Sequence, residues 1–218
     1  MFADLTLIQK IAVWALPVLF AITLHEVAHG WVARLLGDNT AYAAGRLSLN
    51  PLKHIDPVGT LLVPGLLLVL GGFLFGWAKP VPVNYRNLKH PKRDMAIVAV
   101  AGPLTNLVMA LGWAVLLKIA FATGAKEGVW VGVRLMSVAG IGINLALMVL
   151  NMIPLPPLDG GRVAVGLLPM KAAMALSRVE PYGFVILILL MVSGVLGQII
   201  GPPMQLSQNL LFGLVGLR

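Results

Sequence analysis

The sequence predicts an all-α protein that crosses a membrane several times. Apolar residues make up 59% of the 218 residues and charged residues only 11%, and the mean hydropathy is +0.92. Soluble domains carry about 25% charged residues and disordered chains need low hydrophobicity, so both classes are excluded. Several apolar stretches approach or exceed the roughly 18 residues that span a bilayer. We therefore expect a single domain over residues 1–218 with about four spanning helices.

The spanning helices are predicted from apolar runs that end at turn-forming residues. Four such runs cover residues 7–36, 95–122, 130–152 and 182–200. The first stops at Gly37, and the second starts after Asp94, which we interpret as an N-cap.

The remaining segments are not expected to cross the membrane. Residues 162–180 read as a short interfacial helix with a loop, and residues 204–218 as a C-terminal interfacial helix too short to span. Residues 57–76 are apolar, but Pro64 and several glycines indicate a broken, re-entrant element. Prolines 80 and 82 exclude a helix over residues 79–83.

The charge balance is basic, with a formal net charge of +8 and a pI near 10.2. In a soluble protein this balance would suggest a nucleic-acid partner. In a chain this apolar it indicates basic loops that orient a membrane protein, so we expect no nucleic-acid binding. There are no cysteines, which excludes disulfides and thiolate chemistry. The first apolar run continues into His25 and Glu26 without a cleavage pattern, so we interpret it as a retained helix.

The eight acidic residues carry the most information, because a charge in so apolar a bundle must be solvated, paired or bound. Most are expected at segment ends, where water or helix termini receive them: Asp4, Asp38, Asp56, Asp94, Glu127 and Glu180. Only Glu26 and Asp159 lie in apolar surroundings.

The stretch His25-Glu26-Val27-Ala28-His29 predicts a metal site. Two histidines at i and i+4 lie about 40° apart around a helix and about 6 Å along it, so their imidazoles can converge on one ion. The glutamate beside the first histidine can reach a metal-bound water as a general base, as in zinc metalloproteases. The alternative is that these three side chains hydrogen-bond to neighbouring helices.

A catalytic zinc takes three protein ligands and keeps one position for water. The best candidate for the third ligand is Asp159, which follows the apolar residues Pro156, Pro157 and Leu158 and precedes two glycines that permit a sharp turn. The alternative for Asp159 is an ordinary Asp-Gly turn at the membrane surface.

Three motifs in this order resemble the site-2 protease family of intramembrane zinc metalloproteases. They are HEVAHG at 25–30, AGPLTN at 101–106 and NMIPLPPLDGG at 151–161, and the resemblance covers nearly the whole chain. It implies Zn²⁺ as the cofactor, with His25, His29 and Asp159 as ligands and Glu26 as the catalytic acid/base.

The resemblance also implies that Asn106 and Asn151 lie near the site, where they would contact substrate. For both asparagines, a structural hydrogen bond between helices is an equal alternative. Gly102 and Pro103 match a helix packed at the site, and helix packing alone would also explain them. Many members of the family carry a PDZ or CBS domain, and this chain has no room for either, which makes it a minimal form.

The predicted metal site constrains the topology. His29 lies near the end of helix 7–36 and Asp159 just past the end of helix 130–152, so both helices must run in the same direction. One spanning helix then separates them, and residues 57–76 should enter and leave on one side. This arrangement places 11 of the 16 cations on that side and five on the other. If residues 57–76 span, the split between the two sides becomes 9 to 7. The positive-inside rule therefore predicts a multi-pass protein of the cell membrane with its active site toward the cytoplasm.

The implied function is hydrolysis of peptide bonds in or near the transmembrane segment of a membrane-protein substrate within the lipid bilayer. The extended residues 77–84 could pair with an unwound substrate strand, or could be only a loop. Two alternatives belong to other classes. A membrane metal-ion transporter would place ligands on several spanning helices, often with an internal repeat, and neither is seen. A non-catalytic scaffold would usually have lost the glutamate or a ligand. The sequence leaves the oligomeric state open.

Overall fold

The computed structural model describes residues 2, 5–62, 78–124 and 127–217, with backbone only at 60 and 61. Its described part contains no β-strand, which confirms the all-α class. The helices are α1 Leu7–Leu35, α2 Thr40–Ala43, α3 Pro91–Ala122, α4 Val129–Asn151, α5 Asp159–Leu167, α6 Met170–Ser177, α7 Glu180–Val192 and α8 Val195–Val215. Single turns of 3₁₀-helix lie at Pro51–Lys53 and Tyr85–Asn87, and a π-helical segment at Pro57–Leu62.

Three of the described helices, α1, α3 and α4, are long and apolar enough to cross a membrane. Helices α6 and α7 meet at an angle of 64° and together pass the same test, so up to four spans are present among the described residues. The chain is therefore a polytopic α-helical membrane protein, as predicted.

Helix α1 agrees with the predicted segment 7–36 to within one residue. Thr6 begins it with a capping box, in which the Thr6 hydroxyl accepts from the Gln9 backbone N–H at 3.3 Å and the Gln9 side chain accepts from the Thr6 N–H at 2.9 Å. Two backbone groups at the helix start are thereby satisfied. The chain leaves the helix through Gly37, whose φ of 114° is open only to glycine at low cost.

Helix α3 begins earlier than predicted. Its first residue is Pro91, a residue well suited to the first helical position because it lacks an N–H that would be unpaired there. Asp94 is therefore not the N-cap. It lies inside the first turn, where its carboxylate accepts from the backbone N–H of His90 at 2.8 Å. The Asp94 side chain, one turn into the helix, thus pairs the backbone N–H of the residue just before α3.

The C-terminal region is divided differently from the prediction. The predicted span 182–200 is interrupted at Gly194, whose φ of 76° separates α7 from α8. Residues 204–215 continue helix α8 instead of forming a separate helix. Leu211 and Val215 of α8 pack against Ala114 of α3 and Leu145 of α4, so this end of the chain contributes to the core.

Helix α3 packs against both α1 and α4, and these two helices also contact each other. Small residues permit the close approach: Ala110 and Ala114 are fully buried, and a side chain at Gly140 of α4 would collide with the ring of Trp113. Close backbone packing through small residues is the usual way that membrane helices associate. Of the predicted re-entrant segment 57–76, only residues 57–62 are described; the rest lies outside the described residues.

Candidate metal centre

The structure brings His25, His29 and Asp159 into one cluster whose candidate ligand atoms all lie within 4.8 Å of one another. The two histidine Nε2 atoms are 3.1 Å apart. The Asp159 Oδ2 atom lies 3.2 Å from Nε2 of His25 and 3.3 Å from Nε2 of His29. Residues 130 positions apart in sequence are therefore adjacent, with two groups from α1 and one from the first residue of α5.

The hydrogen bonds behind the imidazoles determine which nitrogen of each ring faces the cluster. The Nδ1 atom of His29 lies 2.8 Å from the carbonyl oxygen of Val98, and Nδ1 of His25 lies 2.5 Å from Oδ1 of Asn106. Both partners are acceptors, so each Nδ1 carries the hydrogen and donates it. In a neutral imidazole the Nε2 atom then holds only a lone pair, and both Nε2 atoms face Asp159.

The Asp159 oxygen adds a third lone-pair donor to the same point. Asp159 is 6% exposed, and within the described residues its Oδ2 atom faces the two Nε2 atoms. Buried polar atoms are almost always paired, so these three groups need a positive charge between them, either a proton on one imidazole or a metal ion. Two imidazole nitrogens and one carboxylate oxygen are the donor set of catalytic zinc sites. The residues present therefore fit the predicted Zn²⁺.

Two glycines place Asp159 at the cluster. A Cβ atom at Gly160 would collide with the backbone of Met152, and one at Gly161 with the backbone at Pro156. The proline-rich loop between α4 and α5 thus folds directly onto the start of α5, which only glycine permits. Asp159 in this first turn also benefits from the positive end of the helix dipole.

A third glycine holds the other side of the same loop. A Cβ atom at Gly183 of α7 would collide with the carbonyl of Pro156, which is itself fully buried. The loop that leads to Asp159 is therefore packed at Pro156 between α5 and α7.

Gly102 of α3 lies directly against the histidines. A Cβ atom there would stand 2.7 Å from Nε2 of His25 and closer still to Nε2 of His29. Helix packing, which the sequence offered as one explanation, is therefore incomplete, since Gly102 keeps open the space in front of the two nitrogen atoms. Pro103, the next residue, is buried within α3.

The two candidate substrate-binding asparagines differ in position. Asn106 is fully buried, and its Oδ1 atom lies beside Nδ1 of His25. Asn151 is half-buried at the end of α4, and its amide donates to the carbonyl of Leu147 in its own helix at 3.0 Å. Asn106 thus makes hydrogen bonds between helices, and substrate contact stays a prediction for both asparagines.

Glu26 is half-buried and points toward the extended segment between residues 78 and 84. Its Oε2 atom accepts from the backbone N–H of Val81 at 2.8 Å. Val81 is buried against α1, since a Cβ at Gly30 would lie 2.8 Å from its Cγ1 atom. The motif glutamate and this segment therefore form one unit.

The acids at segment ends are less solvated than expected. Asp38 and Asp94 are both fully buried, so of the two expected recipients, water and helix termini, water is excluded. The start of α3 receives Asp94 through the N–H of His90. Asp56 does cap the next segment, as predicted, because its carboxylate accepts from the N–H groups of Val58 and Gly59 at 2.9 and 2.7 Å. His54 is buried, with its Nε2 atom 2.8 Å from the carbonyl oxygen of Ser48, and it does not belong to the metal cluster of the described residues.

One buried polar residue of the site was missed. Asn144 of α4 is fully buried and contacts Asn106. A polar residue inside an apolar spanning helix is costly without a partner, and this rule alone could have marked Asn144 as part of a network.

The chain is similar in sequence to several curated proteins. It is 36% identical over 206 residues to "Putative zinc metalloprotease YwhC" of Bacillus subtilis (strain 168), covering 89% of this chain and 86% of that one. It is 32% identical over 181 residues to "Putative zinc metalloprotease Rip2" of Mycolicibacterium smegmatis, covering 83% and 66% of the two chains. It is 30% identical over 141 residues to "Putative zinc metalloprotease MJ0611" of Methanocaldococcus jannaschii, covering 64% and 62%. No protein-family model and no solved structure matches the chain.

Proposed function

The chain belongs to the site-2 protease family of zinc metalloproteases, and from this premise we propose that it hydrolyses peptide bonds in or near transmembrane segments of membrane proteins. The observation that carries the proposal is the convergence of two imidazole nitrogens and one carboxylate oxygen inside a bundle of membrane helices. Such groups are too costly in a membrane to be retained without a function.

His25, His29 and Asp159 would hold the metal. When bound, zinc lowers the pKa of a coordinated water to about 7 and polarises the carbonyl that is attacked. The protein's part is to keep both Nε2 atoms and the Asp159 carboxylate oriented toward the metal position. The bonds of the imidazoles to Val98 and Asn106 supply that orientation.

Glu26 would act as general base and then as general acid. Its carboxylate takes a proton from the attacking water and gives it to the nitrogen of the leaving amine. The Val81 N–H holds this carboxylate on the side of α1 that faces the extended segment. Glu26 is thus oriented by backbone rather than by a mobile side chain.

The extended segment 78–84 would receive an unwound substrate strand. Lys79 and Val81 each precede a proline, which restricts both to extended backbone. Alternate residues of an extended chain share an edge, so Lys79 and Val81 present one edge and Pro80 and Pro82 the other. The proline edge has no N–H groups, so it can only accept hydrogen bonds.

The Lys79–Val81 edge is already engaged. The Lys79 N–H donates to the carbonyl of His54 at 2.9 Å, its carbonyl accepts from Arg46 at 2.8 Å, and the Val81 N–H donates to Glu26. A substrate strand beside Glu26 would therefore compete for the Val81 N–H.

Replacing Val83 by proline tests this pairing, because Val83 lies on the same edge as Val81, while it is the Val81 N–H that holds Glu26. Loss of one backbone hydrogen bond to the substrate should slow cleavage of a single-span substrate about tenfold in Val83→Pro. Val81→Pro should slow cleavage more, since it also removes the hydrogen bond that orients Glu26. Unchanged cleavage in Val83→Pro would show that no strand pairs at this edge.

The activity itself is tested with a single-span membrane substrate and purified protein in detergent. Glu26→Gln should reduce cleavage by about 10²–10⁴-fold, the usual contribution of a general base. Zinc content should not change, because Glu26 is not among the candidate ligands. Equal cleavage by wild type and Glu26→Gln would refute the protease proposal, and zinc-dependent flux into liposomes would favour transport.

We further propose that the active site faces the cytoplasm of the cell. The chain has no cysteine, so single cysteines can report sidedness. Ala44→Cys and Lys89→Cys are exposed on the proposed cytoplasmic side, and Ala122→Cys lies at the other end of α3. An impermeant reagent added outside intact cells should label only Ala122→Cys. Labelling of Ala44→Cys and Lys89→Cys from opposite sides would contradict the topology.

A further inference from the structure

Two asparagines form a buried polar pair at the junction of α1, α3 and α4. Asn106 of α3 and Asn144 of α4 are both fully buried, and the Asn106 amide nitrogen lies 2.9 Å from Oδ1 of Asn144. Amide side chains in the interior of a helical bundle are costly unless every donor and acceptor is paired. Each group of this pair therefore has to be accounted for.

The pair is connected at both ends. The Asn144 amide nitrogen donates to the carbonyl of Gly140 at 2.8 Å. The Asn106 amide nitrogen has a second bond, at 3.3 Å, to the carbonyl of Ala21 in α1. The Asn106 oxygen lies 2.5 Å from Nδ1 of His25. A continuous chain of hydrogen bonds thus runs from α4 through α3 to a candidate metal ligand.

The backbone carbonyls at Gly140 and Ala21 set the direction of this chain. A carbonyl can only accept, so each asparagine must turn its nitrogen toward the carbonyl. The Asn144 oxygen then faces Asn106, and the Asn106 oxygen faces His25. If either amide were reversed, an oxygen would face a carbonyl oxygen, and the network would lose its donors.

The consequence is a fixed tautomer for His25. Because the Asn106 oxygen accepts, the hydrogen of the imidazole must lie on Nδ1, and Nε2 is left as the lone-pair donor beside Asp159. His29 reaches the same state in one step, through the carbonyl of Val98. Among the described residues, Nδ1 of His25 has no backbone carbonyl as a partner, so its tautomer depends on the side chains of Asn106 and Asn144.

We propose that Asn144 is a positioning residue of the metal centre, which acts through Asn106 to hold His25 in the rotation and tautomer that present Nε2 to the ion. This inference rests on the proposed ligation of zinc by His25. It assigns to α4 a part in metal binding, although α4 supplies none of the three ligand atoms. Partners that hydrogen-bond a metal-binding histidine typically contribute 10–100-fold to metal affinity.

The test replaces Asn144 by leucine, an apolar residue of similar size, and measures zinc affinity by competition with a chelator in detergent. Ser137→Ala is the matched control, since Ser137 is also fully buried on α4. We expect about 10–100-fold weaker zinc binding in Asn144→Leu and wild-type affinity in Ser137→Ala. The absorption bands of the cobalt-substituted protein should also shift in Asn144→Leu only.

Wild-type affinity and an unshifted cobalt spectrum in a folded Asn144→Leu protein would overturn the inference. If the wild type itself bound no zinc, the proposed function would fail first, so the two failures are distinguishable. A purely structural role for Asn144 would lower the unfolding temperature without changing the zinc affinity of the folded protein.

A second measurement needs no Asn144 variant and tests the hydrogen-bond chain if Asn144→Leu does not fold. In metal-free protein labelled with ¹⁵N at histidine, where no ion sets the tautomer, the ring proton of His25 should be found on Nδ1 and should exchange slowly with water. His25→Gln identifies its signal by loss. A ring proton on Nε2 of His25 would overturn the inference.

Discussion

Two buried aspartates, Asp38 and Asp159, show how differently the same side chain is used in this molecule. Asp38 is fully buried after the end of α1, and its carboxylate accepts from the backbone N–H of Thr40 at 3.1 Å, from that of Asn84 at 2.8 Å and from the Asn87 amide at 2.9 Å. Asp159 is nearly as buried, but its Oδ2 atom lies 3.2 and 3.3 Å from two histidine Nε2 atoms, which have no hydrogen to donate while both rings are neutral and protonated on Nδ1.

Burial alone therefore does not mark a functional acid here. The Asp38 carboxylate is satisfied by the chain itself, so it ties α1 to the segment at residues 84–87. The Asp159 oxygen is opposed by other lone pairs, an arrangement that is unfavourable until a cation is bound. The structural acid is distinguished from the candidate metal ligand by whether N–H groups of the protein already donate to its oxygens.

The largest expected effect comes from breaking the ligand side of this comparison with Asp159→Asn. The amide supplies hydrogens that the two Nε2 lone pairs can accept, so the metal-free site becomes satisfied and its need for a cation disappears. Zinc affinity should fall by at least about 100-fold, beyond the effect of a residue that only supports a ligand, and cleavage should be lost. Thermal unfolding without zinc should be unchanged or occur at higher temperature. Zinc affinity near that of wild type would show that Asp159 is not a ligand.

The next effect tests the space in front of the imidazoles with Gly102→Ala. The added methyl group would meet His25 and His29 at less than van der Waals distance, so the rings must move and zinc binding should fall at least tenfold. Gly112→Ala is the matched control on α3, since a Cβ there meets nothing within 4 Å. The control should bind zinc as wild type does and gain at most about 1 kcal/mol in stability. Equal losses in both variants would assign the effect to α3 in general.

Asp38→Asn breaks the structural side of the comparison. Both oxygens of the Asp38 carboxylate now accept hydrogen bonds from N–H groups. In asparagine one of these oxygens becomes an NH₂ group, which would face an N–H donor and could not accept from it. We expect a loss of about 1–3 kcal/mol in the free energy of unfolding, the usual cost of an unsatisfied buried group. Zinc affinity of the folded protein should remain that of wild type. A parallel fall in zinc affinity would show that Asp38 supports the metal centre and would weaken the distinction.

The smallest effect is the dependence of stability on pH. Burial raises the pKa of Asp38, but hydrogen bonds from Thr40, Asn87 and Asn84 outweigh it, and the pKa is lowered from its usual value. The stabilisation is therefore complete above the unfolded pKa of about 3.9 and is lost as the pH falls through the lower folded value. The difference in unfolding temperature between wild type and Asp38→Asn should narrow below about pH 4. A constant difference from pH 6 to pH 3 would contradict this.

The sequence by itself determined the class of the protein, its family motifs and two of the three candidate ligands. His25 and His29 are four positions apart on one helix, so this local spacing alone makes their side chains converge. Asp159 could be proposed from its apolar neighbours, since an acid in such surroundings needs a reason. The early start of α3 could also have been predicted from the sequence, because proline is favoured at the first position of a helix.

Only the tertiary structure decided which polar groups are satisfied. Thr40 is a local partner of Asp38, but its other two partners lie 46 and 49 residues away in sequence. Asn106 lies 81 residues from His25 and 38 from Asn144. No local pattern encodes pairs at such separations. A carboxylate next to a turn looks the same in sequence whether water, backbone or a metal receives it, and packing of α1, α3, α4 and α5 is what makes the difference.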